Sequence, residues 1–233
     1  MLIFAHRGFS DRWTSENTLE AFGRALQHPV DGIECDVRIS RDRAAIICHD
    51  KRLDRLAGDG RRVCDLTVAE LKELVLRSEG SIPTLNDVTA AIPSPFQIDF
   101  EIKDKAAVEP LIAKLKTSAS LRERAIVSSF SVEAVKRLKI ACPEVRTMIL
   151  KRTWPLPWRK ERFWQQMKTL NVWGVGFPAR SLTKKRIIRV RKQGLKIALW
   201  DVQRVKKETA RILKLAPDIA IIFDCRRSVL DKG

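Results

Sequence analysis

Short apolar runs recur along the chain, separated by amphipathic segments. Nine of them read as strands: Leu2–Ala5, Gly32–Ile39, Ala44–Cys48, Gln97–Ile102, Ala125–Phe130, Val145–Leu150, Val172–Phe177, Lys196–Val202 and Ile219–Asp224. Each is rich in branched or aromatic residues, which pack well on a pleated surface. Between them the apolar positions fall at helical spacing. Asn17-Thr18-Leu19-Glu20 has the form of a capping box ahead of Phe22 and Leu26. Thr67-Val68-Ala69-Glu70 repeats that form ahead of Leu71, Leu74 and Val75. Ser131 is placed to cap a helix bearing Val132, Val135 and Leu138. Leu182–Gln193 reads as a basic amphipathic helix, which Gly194 ends.

Strands alternating with helices predict an α/β fold with a parallel sheet and crossover helices. Nine strands are one too many for an eight-stranded barrel. Only Ser40-Arg41-Asp42-Arg43 joins Gly32–Ile39 to Ala44–Cys48, which is hairpin length and too short for a parallel crossover. Ala44–Cys48 is therefore expected to fold over the mouth as a hairpin arm, leaving a (β/α)8 TIM barrel. A doubly wound open sheet is the alternative, and periodicity does not separate the two.

A chain of 233 residues, 45% apolar and 31% charged, suits one barrel-sized domain or two small ones. No apolar run reaches the ~18–20 residues that span a bilayer. Met1–Ala5 is cut off by His6-Arg7 and has neither the basic flank nor the length of a signal peptide, so a cytoplasmic location is expected. The five cysteines agree: the count is odd, no Cys-x-x-Cys occurs, and buried thiols in a reducing compartment are the expectation. The net charge of +17 is uneven. Lys and Arg outnumber Asp and Glu by 23 to 22 in residues 1–150 but by 22 to 6 in residues 151–233. Such asymmetry points to an anionic partner (nucleic acid, a membrane surface or a phosphorylated substrate) or to a solvated basic face.

Polar residues concentrate at the ends of the early strands. His6-Arg7-Gly8 ends the first, and His49-Asp50 ends the hairpin arm. Glu34 and Asp36 share one face of the second strand, and Asp99, Glu101 and Lys103 share one face of the next. In a barrel such residues meet inside or at the C-terminal mouth, where active sites form. Carboxylates do not crowd together in an apolar barrel without a counter-charge. Glu34, Asp36 and Glu101 therefore call for a cation or buried Arg or Lys partners, and three oxygen ligands suit Mg²⁺ or Ca²⁺ rather than Zn²⁺. Two histidines can serve as acid and base near neutral pH. Arg7 and Lys103 can neutralise phosphoryl oxygens. Each piece alone is weak, and their joint order along the chain carries the reading. His28, which follows the first helix, is assigned to the surface.

The series His6-Arg7-Gly8, Glu16-Asn17-Thr18, Ala21-Phe22, Glu34-Cys35-Asp36-Val37 and His49-Asp50 resembles the glycerophosphodiester phosphodiesterase family. The resemblance continues through Leu53, Arg55, Gly58, Gly60, Val63, Asp65-Leu66-Thr67 and Glu70-Leu71. It runs on through Ile82-Pro83-Thr84-Leu85, Glu101-Ile102-Lys103, Ser129-Phe130, Trp200 and Ile221-Ile222-Phe223-Asp224. It spans almost the whole chain and is densest up to Lys103. It implies a single phosphodiesterase barrel over residues 1–233, with a small insertion at about residues 44–85. It also implies one divalent cation on Glu34, Asp36 and Glu101, His6 and His49 as the acid–base pair, and Arg7 and Lys103 on the phosphate. His6 is the expected base and His49 the expected acid. Trp200 is expected on the substrate side of the mouth. There the chain departs from the family pattern, with Asp201-Val202-Gln203 after Trp200 and Cys225-Arg226-Arg227 after Phe223-Asp224. These departures bear on the alcohol group rather than on the phosphate apparatus.

The expected reaction is hydrolysis of a glycerophosphodiester, a small soluble molecule, to glycerol 3-phosphate and an alcohol. A lysophospholipase D would use the same apparatus on an acylated substrate. Its membrane contact would be residues 151–164, where Trp154, Trp158, Phe163 and Trp164 interleave with Lys and Arg. The plainer reading is that these rings pack on the barrel. A basic nucleic-acid-binding protein is the alternative from another class, but no helix-turn-helix, zinc or RNA-binding motif supports it. An inert phosphate-binding barrel would need a lost catalytic or metal residue, and none is missing.

Overall fold

The computed structural model describes residues 2–156, 160–202 and 220–223. Among the described residues nine strands are present: β1 Ile3–His6, β2 Gly32–Ile39, β3 Ala45–Ile47, β4 Gln97–Ile102, β5 Ala125–Ser129, β6 Arg146–Leu150, β7 Gly174–Pro178, β8 Lys196–Val202 and β9 Ala220–Phe223. β1 pairs in parallel with both β2 and β9. The sheet thus closes in the order β1-β2-β4-β5-β6-β7-β8-β9, an eight-stranded parallel barrel. Closure excludes the open-sheet alternative. β3 pairs antiparallel with β2 outside the ring, with Val37 opposite Ile47, as hairpin length demands.

Strand alternation sorts the side chains. On β2 the odd residues Ile33, Cys35 and Val37 belong to the large core between sheet and helices, while Glu34 and Asp36 lie buried on the opposite face. Phe4, Ile126, Met148 and Ala198 form a separate apolar cluster. Phe4 shares a strand face with His6, so this plug fills the barrel beneath the polar mouth. Apolar side chains from several strands do what barrel interiors require, leaving a packed core and not a pore.

The segment between β2 and β4 builds a small core of its own from Ile46, Leu53, Val63, Leu66, Leu71 and Ile82. It carries helices α2 (Asp54–Ala57) and α3 (Val68–Lys72) and leads into α4 (Leu85–Ala91). The capping box at Thr67 is present, with Glu70 as its reciprocal partner, and Thr84 with Asp87 forms a second one ahead of α4. α3 stops at Lys72, so Val75 falls outside it and is 85% exposed, contrary to its expected place on the helix face. Leu76 takes the buried position instead.

The helix after β1, α1 (Leu19–Ala25), is capped by Thr18 and not by Asn17. Asn17 adopts a left-handed conformation, φ +59°, and turns its side chain into the barrel. Ser131 caps the helix Val132–Ala141 as expected. Lys160–Thr169 is a helix whose Phe163, Trp164 and Met167 form one buried stripe. The basic helix runs Lys184–Arg191 with Thr183 as its cap, and Leu182 precedes it.

Gly32 starts β2 where it crosses β4. A Cβ built there would lie 2.1 Å from the Gln97 carbonyl oxygen, so the two backbones meet at a distance only glycine permits. Gly32→Ala should cost about 1–3 kcal/mol or more, as overpacking against backbone does. In a chain of this size that lowers the melting temperature by at least several degrees, at about 2–4 °C per kcal/mol. Thermal unfolding followed by circular dichroism reads this directly, and an unchanged midpoint would contradict the close approach.

Candidate active site

The barrel's C-terminal end carries the polar groups expected there. His6 is the last residue of β1, and the turn after it is unusual: Arg7 has φ +58° and Gly8 φ +77°. A Cβ on Gly8 would lie 2.6 Å from the carbonyl carbon of Ala21 in α1, so this turn also needs glycine for close approach. The Arg7 amide donates to the Glu34 carbonyl at 3.0 Å and to Glu34 Oε2 at 3.2 Å. The left-handed conformation of Arg7 costs on the order of 1 kcal/mol, and these bonds help to hold it.

Register then gathers the carboxylates. Glu34 lies opposite Asp99 and Asp36 opposite Glu101 across the β2–β4 pair. One oxygen each from Glu34, Asp36 and Glu101 falls within 4.8 Å of the others, and all three residues are buried. Countercharge surrounds them. Arg7 Nε is 3.0 Å from Asp36 Oδ2. Lys103 Nζ is 3.0 Å from Asp36 Oδ1 and 2.6 Å from Glu101 Oε1. Asn17 donates from Nδ2 to Asp36 Oδ2 at 2.8 Å, and the Asp36 amide donates to Asn17 Oδ1 at 3.2 Å. Arg7 and Lys103, expected on phosphate, are thus engaged with carboxylates here.

The acidities follow from this arrangement. Burial raises Glu34 well above the usual carboxylate range, and the charges of Asp36 and Glu101 add to the effect. Burial and Asp36 also raise Glu101, against the pull of Lys103. Burial would raise Asp36 too, but the Lys103 ammonium and Arg7 guanidinium hold it well below the usual range. Asp99, deeper on the same strand face, is 1% exposed, and burial pushes it up to about 8 against the pull of Ser128. The three candidate ligands therefore share a charge that two cations only partly balance, and Glu34 Oε1 is buried without a hydrogen-bond partner. Hard oxygen donors with a net negative charge and an unpaired buried oxygen fit a divalent cation of the Mg²⁺ or Ca²⁺ kind.

The histidines flank the carboxylates. His6 Nε2 lies 3.8 Å from Glu34 Oε2. His49 Nδ1 lies 2.7 Å from Asp50 Oδ1, which leaves Nε2 as the nitrogen able to exchange a proton with a ligand. The His49 backbone is held as well, since Arg38 donates to its carbonyl from Nε at 2.9 Å and from Nη2 at 2.6 Å. Burial lowers His49, opposed by the nearby Asp36 carboxylate. A chain of ion pairs ties the two histidine segments together. Glu16 Oε1 accepts from Arg7 at 2.9 Å and from Arg55 at 2.6 Å, and Arg55 also reaches Asp50 Oδ2 at 2.6 Å. Residue-type reasoning gave Asn17 only a helix-capping role and assigned no site role to Glu16, Asp50 or Arg55. His28 is exposed and its ring packs on Phe9 at 4.6 Å, away from the site, as expected.

A cavity of about 300 Å³ opens between two unlike walls. His6, Arg7, Glu34, His49, Glu101 and Lys103 form one wall. Phe130, Leu150, Arg152 and Trp200 form the other, and the Phe130 and Trp200 rings meet edge-on at 5.6 Å. Trp200 thus stands at the mouth, on the side expected for substrate. In the segment expected at a lipid surface, Trp154 packs on Phe177 at 5.0 Å and on Trp164 at 5.9 Å, while Phe163 and Trp164 are buried. For these rings the packed reading is the one that holds. Pro157, Trp158, Arg159, Gln203 and Asp224-Cys225-Arg226-Arg227 lie outside the described residues. Among the described residues no helix is long and apolar enough to cross a membrane.

Residues 6–225 match the glycerophosphoryl diester phosphodiesterase family. A glycerophosphodiester phosphodiesterase of Caldanaerobacter subterraneus is 29% identical over 96% of this chain and 94% of its own length. A solved glycerophosphodiester phosphodiesterase of Thermotoga maritima superposes with a TM-score of 0.80 at 26% identity, covering 97% of this chain and 96% of its own. A phosphodiesterase of Oleispira antarctica, solved with the product sn-glycerol-3-phosphate, has the same fold. Its TM-score is 0.83 at 21% identity, over 97% of this chain and 94% of its own.

The upward shift of the Glu34 pKa has a sign that can be tested. Between the ordinary carboxylate range and its raised value, the folded protein binds more protons at Glu34 than the unfolded chain does. Its contribution to stability therefore falls as pH rises through that window. Asp36 acts in the opposite sense, its contribution being lost only as pH falls toward its depressed value. In EDTA at pH 7, Glu34→Gln should raise the melting temperature by a few degrees, at about 2–4 °C per kcal/mol of relieved repulsion. Added Mg²⁺ or Ca²⁺ should stabilise the wild type more than this variant. A lower melting temperature for Glu34→Gln in EDTA would mean that the carboxylate is not repelled by its neighbours.

Proposed function

The chain belongs to the glycerophosphoryl diester phosphodiesterase family and is an enzyme of that class, and from that premise we propose that it hydrolyses glycerophosphodiesters to glycerol 3-phosphate and an alcohol by histidine acid–base catalysis at a divalent-metal site. The observation that carries this reading is the convergence of three buried carboxylates with His6 and His49 at one cavity. Glu34, Asp36 and Glu101 would hold the cation, which when bound supplies positive charge to the phosphoryl oxygens.

The chain's own groups account for the remaining steps. Arg7 and Lys103 are cations on the carboxylate wall, and the phosphodiester's non-bridging oxygens meet them there. Each cation has a carboxylate partner within 3.0 Å, which fixes its side chain before substrate arrives and limits the entropy lost on binding. His6 takes a proton from the water molecule whose oxygen bonds to phosphorus. His49 returns one to the departing alcohol oxygen, so the leaving group does not depart as an alkoxide. Asp50 on Nδ1 holds the His49 ring in orientation and favours its protonated form, opposing but not cancelling the effect of burial. Trp200 and Phe130 bound the space for the organic arm of the substrate.

A soluble small molecule is the substrate this cavity suits, and the cytoplasm is the location this reading assigns. The lysophospholipase reading needs apolar rings free at the mouth. Trp154, Phe163 and Trp164 are committed to one another.

The deciding experiment is an assay of released glycerol 3-phosphate from glycerophosphocholine and glycerophosphoethanolamine, with Mg²⁺, Ca²⁺ or EDTA. EDTA should abolish activity reversibly. His6→Ala and His49→Ala should each lower kcat by about 10²–10⁴-fold, while His28→Ala stays close to wild type. Full activity after exhaustive EDTA dialysis, or equal losses for all three histidine variants, would defeat the mechanism.

A further inference from the structure

The two walls of the cavity come from different parts of the barrel. His6, Glu34 and Asp36, and Glu101 stand on β1, β2 and β4, three adjacent strands. Phe130 and Leu150 come from the ends of β5 and β6, and Trp200 from β8. A phosphodiester bound at the first wall sends one arm toward the second.

One feature of the second wall is not needed to cleave phosphate. Arg152 lines the cavity and is exposed, and its guanidinium lies over the Phe130 ring at 5.1 Å. Among the described residues it makes no ion pair. This contrasts with Arg7 and Lys103, which are both tied to carboxylates. Its own segment, Lys151–Leu156, contains no Asp or Glu. Trp200, edge-on to Phe130, has a buried indole N–H without a hydrogen-bond partner. This wall therefore offers a planar cation held on an aromatic face and an indole donor without a hydrogen-bond partner, and among the described residues no carboxylate pairs with the cation. Guanidinium groups pair with carboxylates and phosphates through two parallel N–H bonds.

We propose that Arg152 selects glycerophosphodiesters whose alcohol carries an anionic group, a carboxylate or a second phosphate. The glycerol arm has no such charge, so the charge is read on the alcohol that departs. This inference rests on the hydrolytic reading above and extends it to the choice of substrate.

Matched pairs of substrates isolate the effect. Glycerophosphoserine differs from glycerophosphoethanolamine by one carboxylate. A glycerophosphoglycerol bearing a terminal phosphate monoester differs from glycerophosphoglycerol by one phosphate. The wild type should favour the anionic member of at least one pair by about tenfold in kcat/KM, and the pair that responds identifies the group. The preference should shrink as salt rises, because the charge is near the surface. Arg152→Gln should bring the ratio toward one, and Arg152→Lys should keep part of it. The residue is exposed, so unfolding melts should match the wild type and validate the comparison. Ratios near one in the wild type, or an Arg152→Gln variant that slows both members of a pair equally, overturn this inference and leave the hydrolytic reading intact. Failure to cleave any of the four substrates with Mg²⁺ or Ca²⁺ overturns both.

Discussion

Glu34, Asp36 and Glu101 are forced together by strand register, and the repulsion between them organises the rest of the site. In the parallel β2–β4 pair, residues in register face the same way, so Asp36 and Glu101 become neighbours and Glu34 sits one layer below. Their burial removes the solvent that would screen them. The protein answers with two cations and an amide. Arg7 and Lys103 converge on Asp36, Lys103 extends to Glu101, and Asn17 satisfies Asp36 from the side. Charge is concentrated on Asp36, while Glu34 and Glu101 are pushed toward protonation. Crowding of this kind is what a bound divalent cation would relieve.

Local conformation serves the same centre. Arg7 and Asn17 are non-glycine residues in the left-handed region, and both contact Asp36. The Asn17 amide donates to the Arg7 carbonyl at 2.9 Å, so the two strained turns support each other. From Arg7 the ion pairs run through Glu16 and Arg55 to Asp50, and Asp50 orients His49. His49 belongs to the insertion, and His6 to the barrel. The relay of alternating charges is what fixes one relative to the other, and the small separate core under the insertion keeps that relay in register. Partly buried pairs in such a network lose less to screening than isolated surface pairs do.

The opposite half of the mouth obeys a different rule. It is aromatic and basic, with Phe130, Trp200 and Arg152 facing the carboxylate wall across the cavity. The excess of Lys and Arg after residue 150 is thus partly placed on the substrate side and partly stacked on rings. Arg186 lies over Trp154 at 5.0 Å, and Lys151 over Phe163 at 5.8 Å. These contacts use the cations to cover aromatic surface, which removes the interleaved tryptophan and lysine of residues 151–164 as a sign of lipid contact at Trp154.

The sequence by itself determined the strand positions, the hairpin arm, and which carboxylates and histidines stand at the ends of the early strands. Period-two alternation and the short Ser40–Arg43 link are local properties, and carboxylates on one strand face stay on one face in any sheet. Barrel closure needed the pairing of β1 with β9, two segments at opposite ends of the chain, and periodicity carries no information about such contacts. The same holds for Asn17. In sequence it resembles a helix cap, and only the approach of β2 shows that its side chain has a buried carboxylate to satisfy. Glu16, Arg55 and Asp50 likewise read as ordinary surface charges until the insertion folds back over the mouth. Trp154 was ambiguous because an amphipathic run looks alike whether its rings meet lipid or each other. The tertiary structure decided it by supplying Phe177 and Trp164 as partners. Residue type fixes what a side chain can do, and only long-range packing fixes which partner it meets.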